Sequence, residues 1–556
     1  MDDADKVTDI TIKDITGAER LMGVTYTAQE RALMLDNFSG QISAAKDRRK
    51  VQFQNSEPMA CRFDPRLPGF VMPDAKNNLR WTVADPGPLP DRDEDIAFAP
   101  VAQLHGWIAA KVLTSRRLTE LYLERIKRIG PMLECIATVT DDLAMEQADL
   151  ADAQLQSGTL LGPLHGIPYV VKDLFDTAGI KTGWGAEPYQ NRVPETDAVV
   201  VSRLRDAGAV LLGKAALGAL AYNDIWYGGR CRNPWNLNEG SSGSSAGSAA
   251  ATAAGLCGFS IGTETLGSIT SPCQRCGTTG LRPTFGRVPR DGAMALCWSM
   301  DKIGPICRSV EDTGMVLAAL NGESVGDPAS IDAGLHFDAD AGLEGLRLGY
   351  LPDAFGEGAT ELDHNTLAVA RELGVEVVEV SLPDLPYGSL MNVLYAEGAA
   401  VFEELTLDGR DDTLTWQDAA AWPNVFRRAR FLSAVDHVQL DRLRWRVMKA
   451  LDDMFTEVDV LIGPFMTGPM LVASNFTGHP CLHLRAGLFE TPTREPGGFG
   501  AGRIHMPGAK DEGPVFRVPQ GVSLWGRLFD EGTLLNLGLA LEAALNCSAE
   551  RPEFPS

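Results

Sequence analysis

Two hydrophobic periods alternate along most of this chain. Apolar residues spaced three and four apart predict helices over 101–112, 116–129, 141–156 and 197–207. Short, nearly continuous apolar runs predict strands over 167–172, 209–212, 346–350, 375–380 and 458–462, with Gly208 turning the chain between helix 197–207 and the strand after it. Residues 249–254 read as a small-residue helix leading into a buried strand at 259–261, and 424–455 reads as one long helix. Helices alternating with short apolar strands imply an α/β protein with a largely parallel or mixed sheet covered by helices on both faces. The stretch 486–520 is rich in Gly and Pro and reads as a long loop able to shape the mouth of a substrate pocket.

The first hundred residues follow a different pattern. Thr27-Ala28-Gln29-Glu30 is a capping box that opens a helix with Met34, Phe38, Ile42 and Ala45 on its apolar face. A basic run at 46–50 suits the C-terminal end of that helix. Prolines punctuate 58–100, which predicts an extended path over the surface. A layer of this kind either covers a pocket or joins two subunits, and the pattern leaves both open.

Composition changes this picture only by exclusion. With 556 residues, 44% apolar and 22% charged, the chain has ample material for a large globular core. Its net charge of −24 repels nucleic acid and anionic membranes, so neither is an expected partner unless charge is segregated locally. The N-terminal MDDADK has neither the basic nor the apolar region of a secretory signal, and no apolar stretch approaches membrane-spanning length, so the expected location is the cytoplasm. Ten scattered cysteines fit reduced thiols there. Cys273 and Cys276 form the one close pair, without a second pair or nearby His ligands, which reads as packing; no metal and no organic cofactor is expected.

Three segments carry candidate chemistry. Lys172 lies in the apolar run GIPYVVKD (166–173), GSSAGS (243–248) is a Gly/Ser-rich loop, and GTETLGS (262–268) is a small-residue turn. A serine hydroxyl needs a base within hydrogen-bond reach, and the tetrahedral intermediate it forms needs N–H donors. Lysine is a base only when neutral, and burial among Ile167, Tyr169, Val170, Val171 and Leu174 would lower its pKa. Successive small residues let backbone N–H groups converge on an anion. Each segment also has a plainer reading: the loop as a flexible linker, and Lys172 as a lysine that pairs with neighbouring Asp173. The loop, however, leads straight into a small-residue helix and a buried strand, as linkers do not. GSSAG also fits a nucleophile elbow with Ser245 as nucleophile. That motif must follow a buried strand, whereas 232–239 is polar and contains a proline, and none of His336, His364, His437, His479, His483 and His505 stands in a motif of its own.

Taken in order, GIPYVVKD, GSSAGSAAATAAG, GTETLGSITSP and GLRPTFGRVPRDG resemble the amidase signature family of serine hydrolases. The resemblance runs from about residue 100 to the end, through VDVLIGPFM, FTGHPCLHLRAG and GVSLWGRLFDEGTLL. It implies a single large domain over 100–556, with a central mixed sheet flanked by helices and a signature core near 160–310, preceded by a helical and extended segment over 1–99. It further implies a Ser-Ser-Lys triad: Lys172, a bridging Ser244 in a cis peptide, and a nucleophilic Ser268, the two serines 24 residues apart (268 − 244). Backbone N–H groups of Thr265, Leu266, Gly267 and Ser268 would bind the oxyanion, while Ser245 and Asp173 would orient the bridge and the lysine. The implied activity is hydrolysis of a small-molecule amide, or a related anilide, carbamate or ester, through an acyl-enzyme, with a homodimer as the usual assembly. Two other functions fit the same fold. One is the glutamine-hydrolysing subunit of a tRNA-dependent amidotransferase, against which the N-terminal extension and the lack of a basic patch count. The other is a catalytically degenerate binding or scaffold protein, against which retention of all three triad residues counts.

Departures from the family pattern bear on substrate. The family turn usually has two glycines before the nucleophile where this chain has Leu266-Gly267, and Thr270 and Ser271 occupy positions where an arginine is common. The pocket is therefore expected to lack a guanidinium clamp and to favour a neutral acyl group. Trp184, Tyr222, Trp226 and Tyr227 are candidates for an aromatic pocket wall, with simple packing between layers as the alternative.

Overall fold

The computed structural model describes residues 10–82, 85–494 and 514–554. The extreme N-terminus, His505 and the middle of the 486–520 stretch lie outside the described residues. Eleven strands form one mixed sheet: β1 Ile136–Val139, β2 Pro168–Lys172, β3 Val210–Ala215, β4 Phe259–Glu264, β5 Thr279–Arg282, β6 Lys302–Cys307, β7 Arg347–Tyr350, β8 Glu376–Glu379, β9 Val460–Pro464, β10 Cys481–Pro492 and β11 Val515–Gly526. Their order across the sheet is β8-β7-β9-β11-β10-β5-β6-β4-β2-β3-β1. Parallel pairing joins β7 to β8 and β9, and β2 to β3 and β4; the other neighbours are antiparallel. Helices flank this sheet. Strands β2, β3, β4 and β6 are buried along their whole length, which is why they read as continuous apolar runs rather than alternating ones.

Local signals account for most of these elements. The helix expected at 141–156 is found as Asp141–Gln156, and its neighbours as Val101–Ala109 and Ser115–Leu133. Between β2 and β3 the helix Val199–Asp206 provides the crossover that parallel neighbours require. The small-residue helix Ala246–Ala253 packs close to the sheet. A Cβ on its Gly247 would lie 2.2 Å from the Cys135 carbonyl oxygen and 2.5 Å from Ala216 N, so nothing larger fits. The capping box at Thr27 starts the helix Ala28–Arg49, with Thr27 N donating to Glu30 Oε2 at 2.6 Å. A preceding helix, Ile12–Met22, was not expected and is tied to it by Arg31 and Glu19 at 2.7 Å. Beyond it the chain is mostly extended, as the prolines predict; a short strand, Asn78–Arg80, pairs with His336–Asp338.

Two expectations are corrected. The stretch 424–455 is not one helix but two, Trp422–Ala429 and Ala434–Glu457. Ser433 caps the second by accepting the Asp436 N–H at 2.9 Å, a start signal inside a continuous apolar periodicity. The ends of the 486–520 stretch are not loop but the long antiparallel pair β10–β11 in the middle of the sheet. The sheet tolerates Gly487 through a register shift between Arg485 and Gly487, and the glycine is needed because a Cβ there would meet Leu362 at 2.7 Å. Among the described residues no helix is long and apolar enough to cross a membrane.

Candidate active site

Parallel register places the lysine. With Val171 opposite Ile261 and Lys172 opposite Ala215, β2 carries Lys172 to the level where β4 runs out into the 262–268 turn. Its ammonium nitrogen is fully buried. It lies 2.8 Å from Ser244 Oγ, 3.1 Å from Ser245 Oγ and 2.8 Å from Thr263 Oγ1. Burial pulls its pKa well below the ordinary lysine value, and the negative charges of Asp301 and Glu264 only partly oppose this. Neutral lysine has a lone pair to accept a proton, so the surroundings favour the form that can act as a base.

The serine loop wraps over this amine. The Gly243–Ser244 peptide is cis. Gly243 has no substitute, since a Cβ would sit 1.9 Å from the Asn223 carbonyl oxygen. The Ser245 hydroxyl donates to the Thr263 carbonyl at 3.0 Å and accepts from Thr263 N at 3.1 Å. Its only proton is thus committed to a carbonyl, which removes the elbow reading for Ser245. The strand ahead of it, Asn236–Gly240, pairs with Arg232–Asn233 in a ribbon outside the central sheet. Buried His479 and His483 face Thr477 and Ser523 instead. Ser245 N donates to the Ser268 carbonyl at 3.1 Å, joining the loop to the turn that carries Ser268. Of Lys172, Ser244 and Ser268, Ser268 is the most accessible, at 8%.

The turn itself hangs on a buried carboxylate that sequence reasoning overlooked. Glu264, at the end of β4, accepts from Ile269 N and Thr270 N, both at 2.9 Å, through Oε2, and from Arg282 Nη1 at 2.6 Å and Asn475 Nδ2 at 2.9 Å through Oε1. Burial acts to raise its pKa, but Arg282 and these donors outweigh it and hold it down at about 2. The one signal in the sequence was a charged residue at the junction of a buried strand and a glycine-containing turn, with an arginine in the GLRPTFG segment. Gly267 takes the left-handed conformation (φ 83°), which leaves Leu266 free of it. Leu266 turns its side chain into the wall of a cavity instead. Thr270 bonds Glu264 at 3.1 Å and Ser271 bonds Ser242 at 2.5 Å, so neither stands in for a guanidinium.

That cavity, about 40 Å³, opens beside Ser268 between Tyr222, Leu266, Leu296, Met391, Leu394 and Trp422. Of the four predicted aromatics only Tyr222 is part of its wall, where it packs on Trp422 with ring centroids 4.8 Å apart. Trp184 packs on Tyr189 beneath Arg192, and Trp226 packs on Tyr227. Asp173 also differs from expectation. Successive strand residues point to opposite faces, so its carboxylate turns away from Lys172. It accepts Gly183 N at 2.9 Å and Tyr227 OH, and faces a second buried lysine, Lys214, at 3.9 Å. Any influence of Asp173 on Lys172 therefore passes through the backbone they share.

Comparison with known proteins bears directly on this arrangement. The family model described as Amidase matches residues 117–535. The chain belongs to the amidase family. Relatives of this amidase include a glutamyl-tRNA(Gln) amidotransferase subunit from Pseudomonas savastanoi pv. phaseolicola, 32% identical over 82% of this chain and 99% of that protein. The protein of the same name from Roseiflexus sp. is 34% identical over 80% of this chain and 96% of its own length. Among solved structures, the native peptide amidase from Stenotrophomonas maltophilia superposes with a TM-score of 0.68 at 28% identity, covering 82% of this amidase and 99% of that chain. The first 116 residues precede the family match.

Proposed function

We propose that the protein is a serine amidohydrolase that cleaves the C–N bond of a small, neutral carboxamide, or a related anilide, carbamate or ester. The observation that carries the reading is the contact of a fully buried, pKa-lowered Lys172 with Ser244, on a loop bonded to the Ser268 turn. Ser268 Oγ attacks the carbonyl carbon while its proton passes to Ser244, whose own proton goes to Lys172. The oxyanion is received by the backbone N–H groups of 265–268. When the C–N bond breaks, the proton returns through Ser244 to the departing amine. Water then enters, loses a proton to the same relay and releases the carboxylic acid, restoring Ser268. The acyl group is neutral in this reading because no charged side chain lines the cavity beside Ser268.

A second reading is the glutamine-hydrolysing subunit of an amidotransferase, supported by the relatives that bear an amidotransferase name, at 32% and 34% identity. It requires the Ser268 cavity to hold the charged backbone of glutamine, for which the apolar lining is poorly suited. One experiment separates the readings. Wild type and Ser268→Ala are treated with a fluorophosphonate and mapped by mass, then assayed on butyramide, an acyl anilide and glutamine. A single adduct on Ser268, lost in the variant, with turnover of the neutral amides is the expected result. Turnover of glutamine alone, or only with partner subunits, moves the assignment to the second reading. No adduct and no turnover would leave a degenerate binding protein.

A further inference from the structure

A second chamber, about 120 Å³, lies on the far side of Thr265 from the acyl cavity and shares Ala221, Thr265 and Leu296 with it. Thr263, which holds Lys172, is also part of its wall. An amide bound with its carbonyl at Ser268 and its acyl chain in the first cavity has its nitrogen substituent as the remaining part to be housed. The chamber is adjacent and lies on the Lys172 side, from which the departing nitrogen receives its proton.

Its chemistry is specific. Three carboxylates and one guanidinium line it: Asp291, Asp301, Asp327 and Arg290. Two of these carboxylates are committed. Asp327 holds Arg290 through two contacts at 2.9 and 3.0 Å. Asp301 accepts Thr265 Oγ1 at 2.5 Å and the N–H groups of Leu296 and Cys297 at 2.8 and 2.9 Å. Asp291 Oδ2 is different: it is buried and has no hydrogen-bond partner among the described residues. The same holds for the indole Nε1 of Trp298. A buried carboxylate oxygen without a donor, together with an indole N–H without an acceptor, costs folding free energy that a bound ligand would recover.

The rim comes from outside the family match. Asn55 exchanges two hydrogen bonds with the Ala295 backbone, at 3.0 and 2.8 Å, and Arg62 donates to the Pro328 carbonyl. Between these anchors Ser56 and Pro58 border the chamber.

We propose that this chamber is the subsite for the amine half of the substrate, and that this half carries a protonated amino group bound by Asp291. The inference rests on the amidohydrolase reading and narrows it to N-substituted amides whose leaving group is a diamine or other cationic amine. The strap over 55–62, peculiar to the N-terminal segment, closes the subsite.

The test compares N-(2-aminoethyl)butyramide with the neutral, similarly shaped N-propylbutyramide, with butyramide as reference for the chemistry. Wild type is expected to favour the cationic amide by roughly tenfold or more in kcat/KM, the scale of a charge-assisted hydrogen bond. That preference should collapse toward unity in Asp291→Asn and shrink in Asn55→Ala, where the strap loses its anchor. Equal rates on the two N-substituted amides, with butyramide turned over, would overturn the subsite and leave the amidohydrolase reading standing. Binding of 1,3-diaminopropane to wild type and Asp291→Asn by calorimetry provides a readout independent of turnover. If no amide is hydrolysed, the amidohydrolase reading fails, and diamine binding that depends on Asp291 still supports the cation site. Equal or absent binding in both proteins overturns it.

Discussion

Replacing Glu264 with glutamine removes one negative charge from a fully enclosed site while keeping the shape of the side chain. Two separate groups of donors converge on the carboxylate, Arg282 with Asn475 on one oxygen and the amides of Ile269 and Thr270 on the other. The amide nitrogen of glutamine must face one group with N–H against N–H, and Arg282 loses its counterion in either orientation. The scale follows from the carboxyl group itself. Its pKa is held down from 4.5 to about 2, which corresponds to about 3 kcal/mol of stabilisation. This agrees with the roughly 3–5 kcal/mol lost when one partner of a buried ion pair is removed. Because the folded pKa is the lower one, the stabilisation is complete above the ordinary carboxylate pKa and disappears as pH falls through about 2. Denaturant unfolding of both proteins should therefore show Glu264→Gln less stable by about 3 kcal/mol near neutral pH, with the gap reduced to about half at pH 3. The variant should also lose kcat on a neutral amide, since the amides freed from Glu264 set the turn that carries Ser268. Equal stability with an unchanged pH dependence would refute an ionised Glu264 as the support of that turn.

Lys172→Met should lower kcat by about 10²- to 10⁴-fold, and the wild-type rate should rise with pH to a plateau, because only the neutral amine accepts the proton. The midpoint should fall well below the ordinary lysine value; a rate still climbing above pH 10 would show the lysine to be unperturbed. Burial lowers Lys214 to about 8 and raises Asp173 to about 6. Lys214→Met and Asp173→Asn should each cost about 3–5 kcal/mol, and the double variant, measured by denaturation, clearly less than their sum. Leu266→Ala should widen the acyl cavity and raise kcat/KM for hexanamide relative to propionamide; an unchanged ratio would remove Leu266 from the acyl wall.

What the sequence determined by itself is what short-range patterning can carry. Burial of Lys172 follows from the apolar run around it, the helix at 28–49 from its capping box, and the close-packed helix after the serine loop from its alanines and glycines. The order of the motifs was enough to place the chain in its family, because each motif is a turn or strand whose conformation depends on neighbouring residues. Tertiary structure decided the rest, wherever the partner of a residue lies far along the chain. Glu264 depends on Asn475, 211 residues away, and the rim of the second chamber depends on Asn55 meeting Ala295, 240 residues away. Asp173, adjacent to Lys172 in sequence, pairs across to Lys214 because alternate strand residues face opposite sides. The glycines and prolines of 486–520 resembled a loop because their cost within a strand is estimated locally. Two long strands form there nonetheless, since pairing β10 with β11 satisfies both backbones in the middle of the sheet.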